Sequence, residues 1–123
     1  MQAPSIVRRP RRLRPGDRVL LVAPSGPASE ERIRHGEERC RALGLEPVVA
    51  PSARKQHGYF AGTDEERAAD LRAGFRDDSI AALWAVRGGY GAIRLLTRVD
   101  LEPLRRNPKA FIGFSDNTAI HLA

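Results

Sequence analysis

The chain has 123 residues, 41% of them hydrophobic and 29% charged, and carries a net charge of +6. That is one soluble globular domain; it excludes a disordered chain, and no apolar run approaches the roughly 18 residues that a membrane-spanning helix needs. A single cysteine, Cys40, excludes an internal disulfide and a cysteine-built zinc site.

The chain begins with a basic N-terminal arm, residues 1–13, ahead of one domain, residues 14–123. Arg8, Arg9, Arg11, Arg12 and Arg14 precede the first acid, Asp17, and leave the rest of the chain almost neutral. Charge confined to a short arm reads as a solvated tail, and no nucleic-acid partner is expected. The arm has no apolar core of the kind a secretory leader carries, so a cytoplasmic location is expected. Asp17 to Ala23 is a short apolar run suited to a strand buried on both faces. Pro24-Ser25-Gly26-Pro27 breaks it. Ser29 then offers an N-cap to a helix whose inner positions are Ile33, Glu37, Cys40 and Leu43, and Gly44 closes that helix. Glu46 to Ala50 is a second strand, and residues 52–62 have no period and read as a loop. Thr63 and Glu66 have the spacing of a capping box, followed by an apolar helical face of Ala68, Leu71, Ala73 and Phe75. Ile80 to Val86 is a third strand, Gly88-Gly89-Tyr90-Gly91 a turn, Ala92 to Leu96 a short helix and Asp100 to Arg106 a helical turn. Lys109 to Gly113 is a fourth strand, and a last helix starts at Asp116.

Strands alternating with helices predict an α/β domain: a Rossmann-like or flavodoxin-like three-layer fold on a short, mainly parallel sheet of about four strands. Right-handed crossovers place all strand C-terminal ends on one edge, so the turns at Ser25, Gly88 to Gly91 and Ser115 should meet in space.

The chemistry centres on Gly113-Phe114-Ser115-Asp116-Asn117-Thr118. A serine at a strand-to-helix corner can expose its hydroxyl, with the following N–H aimed at an oxyanion. The second glycine of the usual elbow is missing, and on these residues alone a helix cap at Ser115 or Asp116 is the favoured reading. The adjacent glycines 88 and 89 permit close approach of backbone N–H groups to a ligand, or simply make a tight turn. None of His35, His57 and His121 stands where it would complete a local triad, and Asp64, Glu65 and Glu66 read as a helix start.

Four ordered stretches resemble the LD-carboxypeptidase family of serine peptidases, which also includes the microcin C immunity proteins. They are Arg14-Pro-Gly-Asp-Arg-Val with Val22-Ala-Pro-Ser25; Gly58-Tyr-Phe-Ala-Gly-Thr-Asp-Glu-Glu-Arg-Ala-Ala-Asp-Leu71; Trp84-Ala-Val-Arg-Gly-Gly-Tyr-Gly91 with Arg94-Leu-Leu96; and Lys109-Ala-Phe-Ile-Gly-Phe-Ser-Asp116. The resemblance implies that Ser115 is a nucleophile, that the N–H groups of Asp116 and Gly89 form an oxyanion hole, and that Gly88, Tyr90 and Ser25 contact substrate. It implies hydrolysis of the amide to the terminal D-alanine of murein tetrapeptides in cell-wall recycling, with no metal and no cofactor. It places the Glu and His of a Ser-Glu-His triad in a C-terminal domain beyond the matching stretches, and it implies a homodimer. The 123 residues alone are then expected to be inactive. Two other readings stand beside it: hydrolysis of a microcin-like peptidyl-nucleotide, and a non-catalytic Rossmann-like module binding an anion or nucleotide.

Overall fold

A computed structural model describes residues 9–88, 91–113 and 115–121; the side chains of residues 115, 118 and 119 fall outside that description. Four strands form one sheet among the described residues: β1 (Arg18–Val22), β2 (Glu46–Val49), β3 (Ile80–Ala85) and β4 (Ala110–Ile112). Their order is β2-β1-β3-β4, and every neighbouring pair is parallel. The α/β expectation holds, and each strand is a little shorter than its apolar run.

Alternation along β1 sorts the core into two layers. Val19 and Leu21 pack with Cys40 of α1 (Glu30–Ala42) and with Leu45, whereas Leu20 and Val22 pack with Leu71 and Phe75 of α2 (Asp64–Arg76). The two helices therefore cover opposite faces, giving three layers, and β1 is buried on both sides as its unbroken apolar run predicts. In β3 the pairing with β1 slips, so that Arg18 faces Ile80 but Val19 faces Ala82. The extra residue, Ala81, turns Ile80 to the α2 side although Ala82 lies on the α1 side.

The local signals for α2 hold: Thr63 accepts from the Glu66 N–H while the Glu66 side chain accepts from the Thr63 N–H, each at 3.1 Å. Ser29 caps α1 in the same manner, accepting from the Arg32 N–H. Two expectations need correction. Leu43, expected on the inner face of α1, is 63% exposed, because it is the capping residue where the chain leaves the helix. The segment expected to be wholly loop after β2 opens with a 3-10 turn, Pro51–Arg54, which buries Ser52 and Ala53. Ser52 donates to Asp70 of α2 through both its backbone N–H and its hydroxyl, which ties the turn down.

The basic arm is anchored where it is described. Arg11 forks onto Asp17 with contacts of 2.8 and 3.0 Å, and the Arg14 N–H donates to the same carboxylate. The Arg11 guanidinium holds that carboxyl below its usual range. Beyond the sheet, α3 (Glu102–Arg106) precedes β4, and α4 (Thr118–His121) follows it.

Candidate active site

The strand order creates the place where a site belongs. From β1 the chain passes through α1 to β2 on one side, whereas from β3 it leads to β4 on the other. Adjacent strands whose outgoing loops diverge leave a crevice at their C-terminal ends, the usual ligand position in an open parallel sheet. Here the two loops touch. The Gly26 N–H donates to the Gly88 carbonyl at 3.0 Å, and a Cβ on Gly26 would stand 2.9 Å from that oxygen. Glycine at 26 is thus required by close approach of two backbones.

The third turn arrives from β4. Residues Ser115–Asn117 form one 3-10 turn, and the Asp116 carboxylate reaches back across the crevice. Its Oδ2 lies 2.8 Å from the Ser25 hydroxyl and 2.7 Å from the Ala92 N–H. Asn117 Nδ2 donates to the Arg87 carbonyl at 3.0 Å, which leaves its Oδ1 2.9 Å from the same Ser25 Oγ. A hydroxyl carries one proton, and a carboxylate is a stronger acceptor than an amide oxygen, so the proton belongs on the Asp116 side. The residue after Ser115 is therefore pinned by one donor from the β1 loop and one from the segment after β3.

Beneath these turns lies Arg67. Its side chain is fully buried, and its guanidinium donates to the carbonyls of Gly62 at 3.1 Å, Pro24 at 2.6 Å and Gly91 at 3.0 Å. It also pairs with Asp64 and lies 4.6 Å from the centre of the Phe60 ring. Burial pushes its pKa down, opposed by the negative charges of Asp64 and Asp116. The guanidinium reaches these partners from three different nitrogens, Nε to Gly62, Nη1 to Pro24 and Gly91 and Nη2 to Asp64, whereas an ammonium offers its three donors from a single atom.

The predicted site residues are placed as follows. Ser25, Gly88 and Asp116 meet at the crevice. Ser25 is 0% exposed with its hydroxyl engaged by Asp116 and Asn117, so its contacts are within the protein rather than with solvent. Ser115 contributes its backbone to the turn, and its side chain lies outside the described residues, as do Gly89 and Tyr90 altogether. His35 and His57 are exposed, and the His121 ring nitrogen lies 2.8 Å from the Phe111 carbonyl. Asp64 to Glu66 form the first turn of α2, as expected. A groove of about 470 Å3 beside α1 is lined by Arg32, His35, Trp84 and Val86 among others, and not by Ser25, Gly88 or Asp116. Among the described residues no three His, Cys, Asp or Glu side chains cluster as a metal site, and no helix is long and apolar enough to cross a membrane.

Sequence reasoning passed over Arg67 and the Asn117 side chain. Arg67 did leave a signal. It precedes Leu71 by four residues and Ala68 by one, so it falls within the apolar stripe of α2, where a charge must find partners. Nothing local marks Asn117, whose amide group meets Arg87 and Ser25, 30 and 92 residues away.

Comparison with known proteins decides the family. A family model described as the LD-carboxypeptidase N-terminal domain matches residues 19–123. The chain belongs to the LD-carboxypeptidase family. A provisionally named carboxypeptidase of Streptomyces coelicolor is 50% identical over 119 residues, covering 94% of this chain and 38% of its own length. A probable murein peptide carboxypeptidase of Bacillus subtilis is 37% identical over 115 residues, covering 94% of this chain and 36% of its own. Among solved structures, the apo microcin C7 self-immunity protein MccF aligns with a TM-score of 0.81 at 30% identity, covering 88% of this chain and 33% of its own. The chain thus spans little more than a third of the length of the relatives it matches.

Proposed function

We propose that this LD-carboxypeptidase chain is the nucleophile-bearing part of a cytoplasmic serine carboxypeptidase that releases the terminal D-alanine from murein tetrapeptides. The observation that carries the reading is the Asp116 carboxylate, bonded at once to Ser25 and to the Ala92 N–H. It draws the turn that holds Ser115 against the segment that follows the glycine turn. Backbone donors converging from two strand ends are what an oxyanion hole requires.

In this reading Ser115 Oγ attacks the carbonyl carbon of the L,D-amide, and its proton passes to a general base. The N–H groups of Asp116 and Gly89 receive the developing oxyanion, while Gly88 and Tyr90 contact the substrate. Collapse breaks the C–N bond, and the amine of D-alanine leaves with the proton from the base. Water then hydrolyses the acyl-serine by the same route in reverse. The base and its orienting carboxylate come from a C-terminal domain outside these 123 residues, and the whole enzyme works as a homodimer. This accords with a chain that spans about a third of its relatives. It needs no metal and no cofactor.

The test is D-alanine release from a murein tetrapeptide by the complete gene product. Ser115→Ala should lower kcat at least about 10³-fold, in the range seen when a triad nucleophile is removed. Undiminished turnover would remove Ser115 from the mechanism. The microcin C7 self-immunity protein has also been solved in complex with aspartyl sulfamoyl adenosine, and likeness to it is the basis for a second substrate class, a microcin-like peptidyl-nucleotide. Offering the same enzyme both substrates and comparing kcat/KM separates the two.

A further inference from the structure

Ser25 has a position that contact with substrate does not explain. It is 0% exposed, lies on the loop after β1, and bonds a carboxylate 91 residues away. That carboxylate belongs to the residue whose N–H is proposed to receive the oxyanion. Its second donor, Ala92 N–H, belongs to the residue directly after the left-handed Gly91. One Oδ2 atom therefore holds two donors that come from two different strand ends.

We infer that the Ser25 hydroxyl and the Asp116 carboxylate form a positioning pair that sets where the turn bearing Ser115 and the Asp116 N–H stands relative to Ala92. The pair touches no reacting atom. The inference rests on the reading of Ser115 as the nucleophile. Its physical basis is the steep dependence of preorganised donors on geometry: a displacement of about 1 Å in a reacting group costs on the order of 10²-fold in rate. Both ends of the brace are short turns. Ser115–Asn117 is three residues of 3-10 turn, and Ala92–Leu95 is four. Ala92 and Leu95 pack in the same core cluster as Ile120 of α4, and the bond from the Ala92 N–H to Asp116 is the polar link that fixes the two turns against each other. Asn117 supports the same arrangement, since its amide is oriented by the Arg87 carbonyl of the β3 loop.

The arrangement also explains why serine suits position 25. The side chain must be short enough to sit at 0% exposure and must offer a proton to a carboxylate 2.8 Å away. Alanine keeps the packing and removes the proton. It leaves Asp116 with the Ala92 N–H as its remaining described donor, so the carboxylate can swing and carry the backbone of the turn with it.

The experiment is a double-mutant cycle in the complete gene product, using Ser25→Ala, Asp116→Ala and the pair, assayed on a murein tetrapeptide. Each single variant should lower kcat about 10- to 100-fold with KM within about twofold, because the donors act on the transition state more than on bound substrate. The double variant should be no slower than Asp116→Ala alone, because the two side chains act as a unit. Asp116→Asn, which keeps an acceptor for Ala92, should recover part of the loss. Single variants with kcat within twofold of the parent, or losses that multiply, would overturn the inference.

A second measurement does not depend on turnover. In amide NMR spectra of the complete gene product, the Ala92 N–H should shift upfield in Asp116→Asn and exchange with solvent about tenfold faster in Asp116→Ala. An Ala92 resonance unmoved by either change shows that the brace is absent. The two readings fail differently. If Ser115→Ala retains full activity, the functional reading fails whatever the Ala92 amide does. If Ser115→Ala is dead and Ser25→Ala is fully active, the positioning role alone fails.

Discussion

Replacing Arg67 by methionine tests how the segments at Pro24, Gly62 and Gly91 are held together. Methionine keeps most of the aliphatic stem in place and removes the guanidinium. The Gly91 carbonyl retains a donor, the Arg94 N–H at 3.2 Å. Asp64 retains a partner as well, Arg94 Nε at 3.0 Å. The Pro24 and Gly62 carbonyls, both in buried residues, lose the guanidinium N–H that serves them. An orphaned buried acceptor costs about 1–3 kcal/mol, so the two together cost about 2–6 kcal/mol. Against this, a desolvated cation disappears, which returns part of the cost. A net loss of about 2–4 kcal/mol is expected, a large share of the 5–15 kcal/mol or so that holds a domain of this kind together. Urea unfolding followed by circular dichroism measures it, and Arg67→Lys should recover less than half, since one ammonium nitrogen replaces the separate Nε and Nη1 that reach Gly62 and Pro24. A loss below about 1 kcal/mol, or a gain, would refute the reasoning; Arg67 would then be a buried ion whose apolar replacement is neutral.

Three further outcomes follow from the packing and the charges. Gly74 lies inside α2, where alanine is ordinarily worth about 1 kcal/mol, but its Cβ would stand 2.8 Å from both Leu20 Cδ2 and Leu83 Cδ2. Overpacking should win, and Gly74→Ala should lower the thermal midpoint by an amount equivalent to about 1 kcal/mol, whereas a rise would mean that the leucines move aside freely. Gly91→Ala combines a φ of +105° with a Cβ 2.7 Å from the Phe60 ring, so a loss of about 2–4 kcal/mol is expected in the same melt. Glu66 accepts from the Lys55 ammonium and the Thr63 N–H, which lower its pKa from 4.5 to about 2. A carboxyl depressed by folding stabilises above its ordinary value and ceases to do so as pH falls from 4.5 towards 2. Glu66→Gln should therefore flatten the acid limb of stability in that window, and an unchanged limb would count against the pairing.

Short-range physics made much of the fold legible. The capping box at Thr63 and Glu66 and the Ser29 cap depend on partners three residues away, and both form as expected. From Val19 to Val22 β1 is apolar at every position because the strand has a helix layer on each face. Leu43 misled because helical spacing continues past the point where the chain turns out of the helix. The buried turn Pro51–Arg54 has no apolar period to reveal it, since its anchor is a polar bond from Ser52 to Asp70.

The sequence by itself determined the elements, the parallel α/β class and the family, because spacing, capping and ordered motifs are written along the chain. It also placed the Ser25, glycine and Ser115 turns at one edge, since every crossover has the same hand. Tertiary structure alone decided the strand order β2-β1-β3-β4, and with it which two loops face each other. It also decided the partners of each polar group at that edge. Ser25 finds Asp116 across 91 residues, and Arg67 finds Pro24 across 43. A hydroxyl or a guanidinium has the same donors wherever it stands in a sequence. Which carbonyl or carboxylate meets it is settled when the sheet brings distant strand ends together.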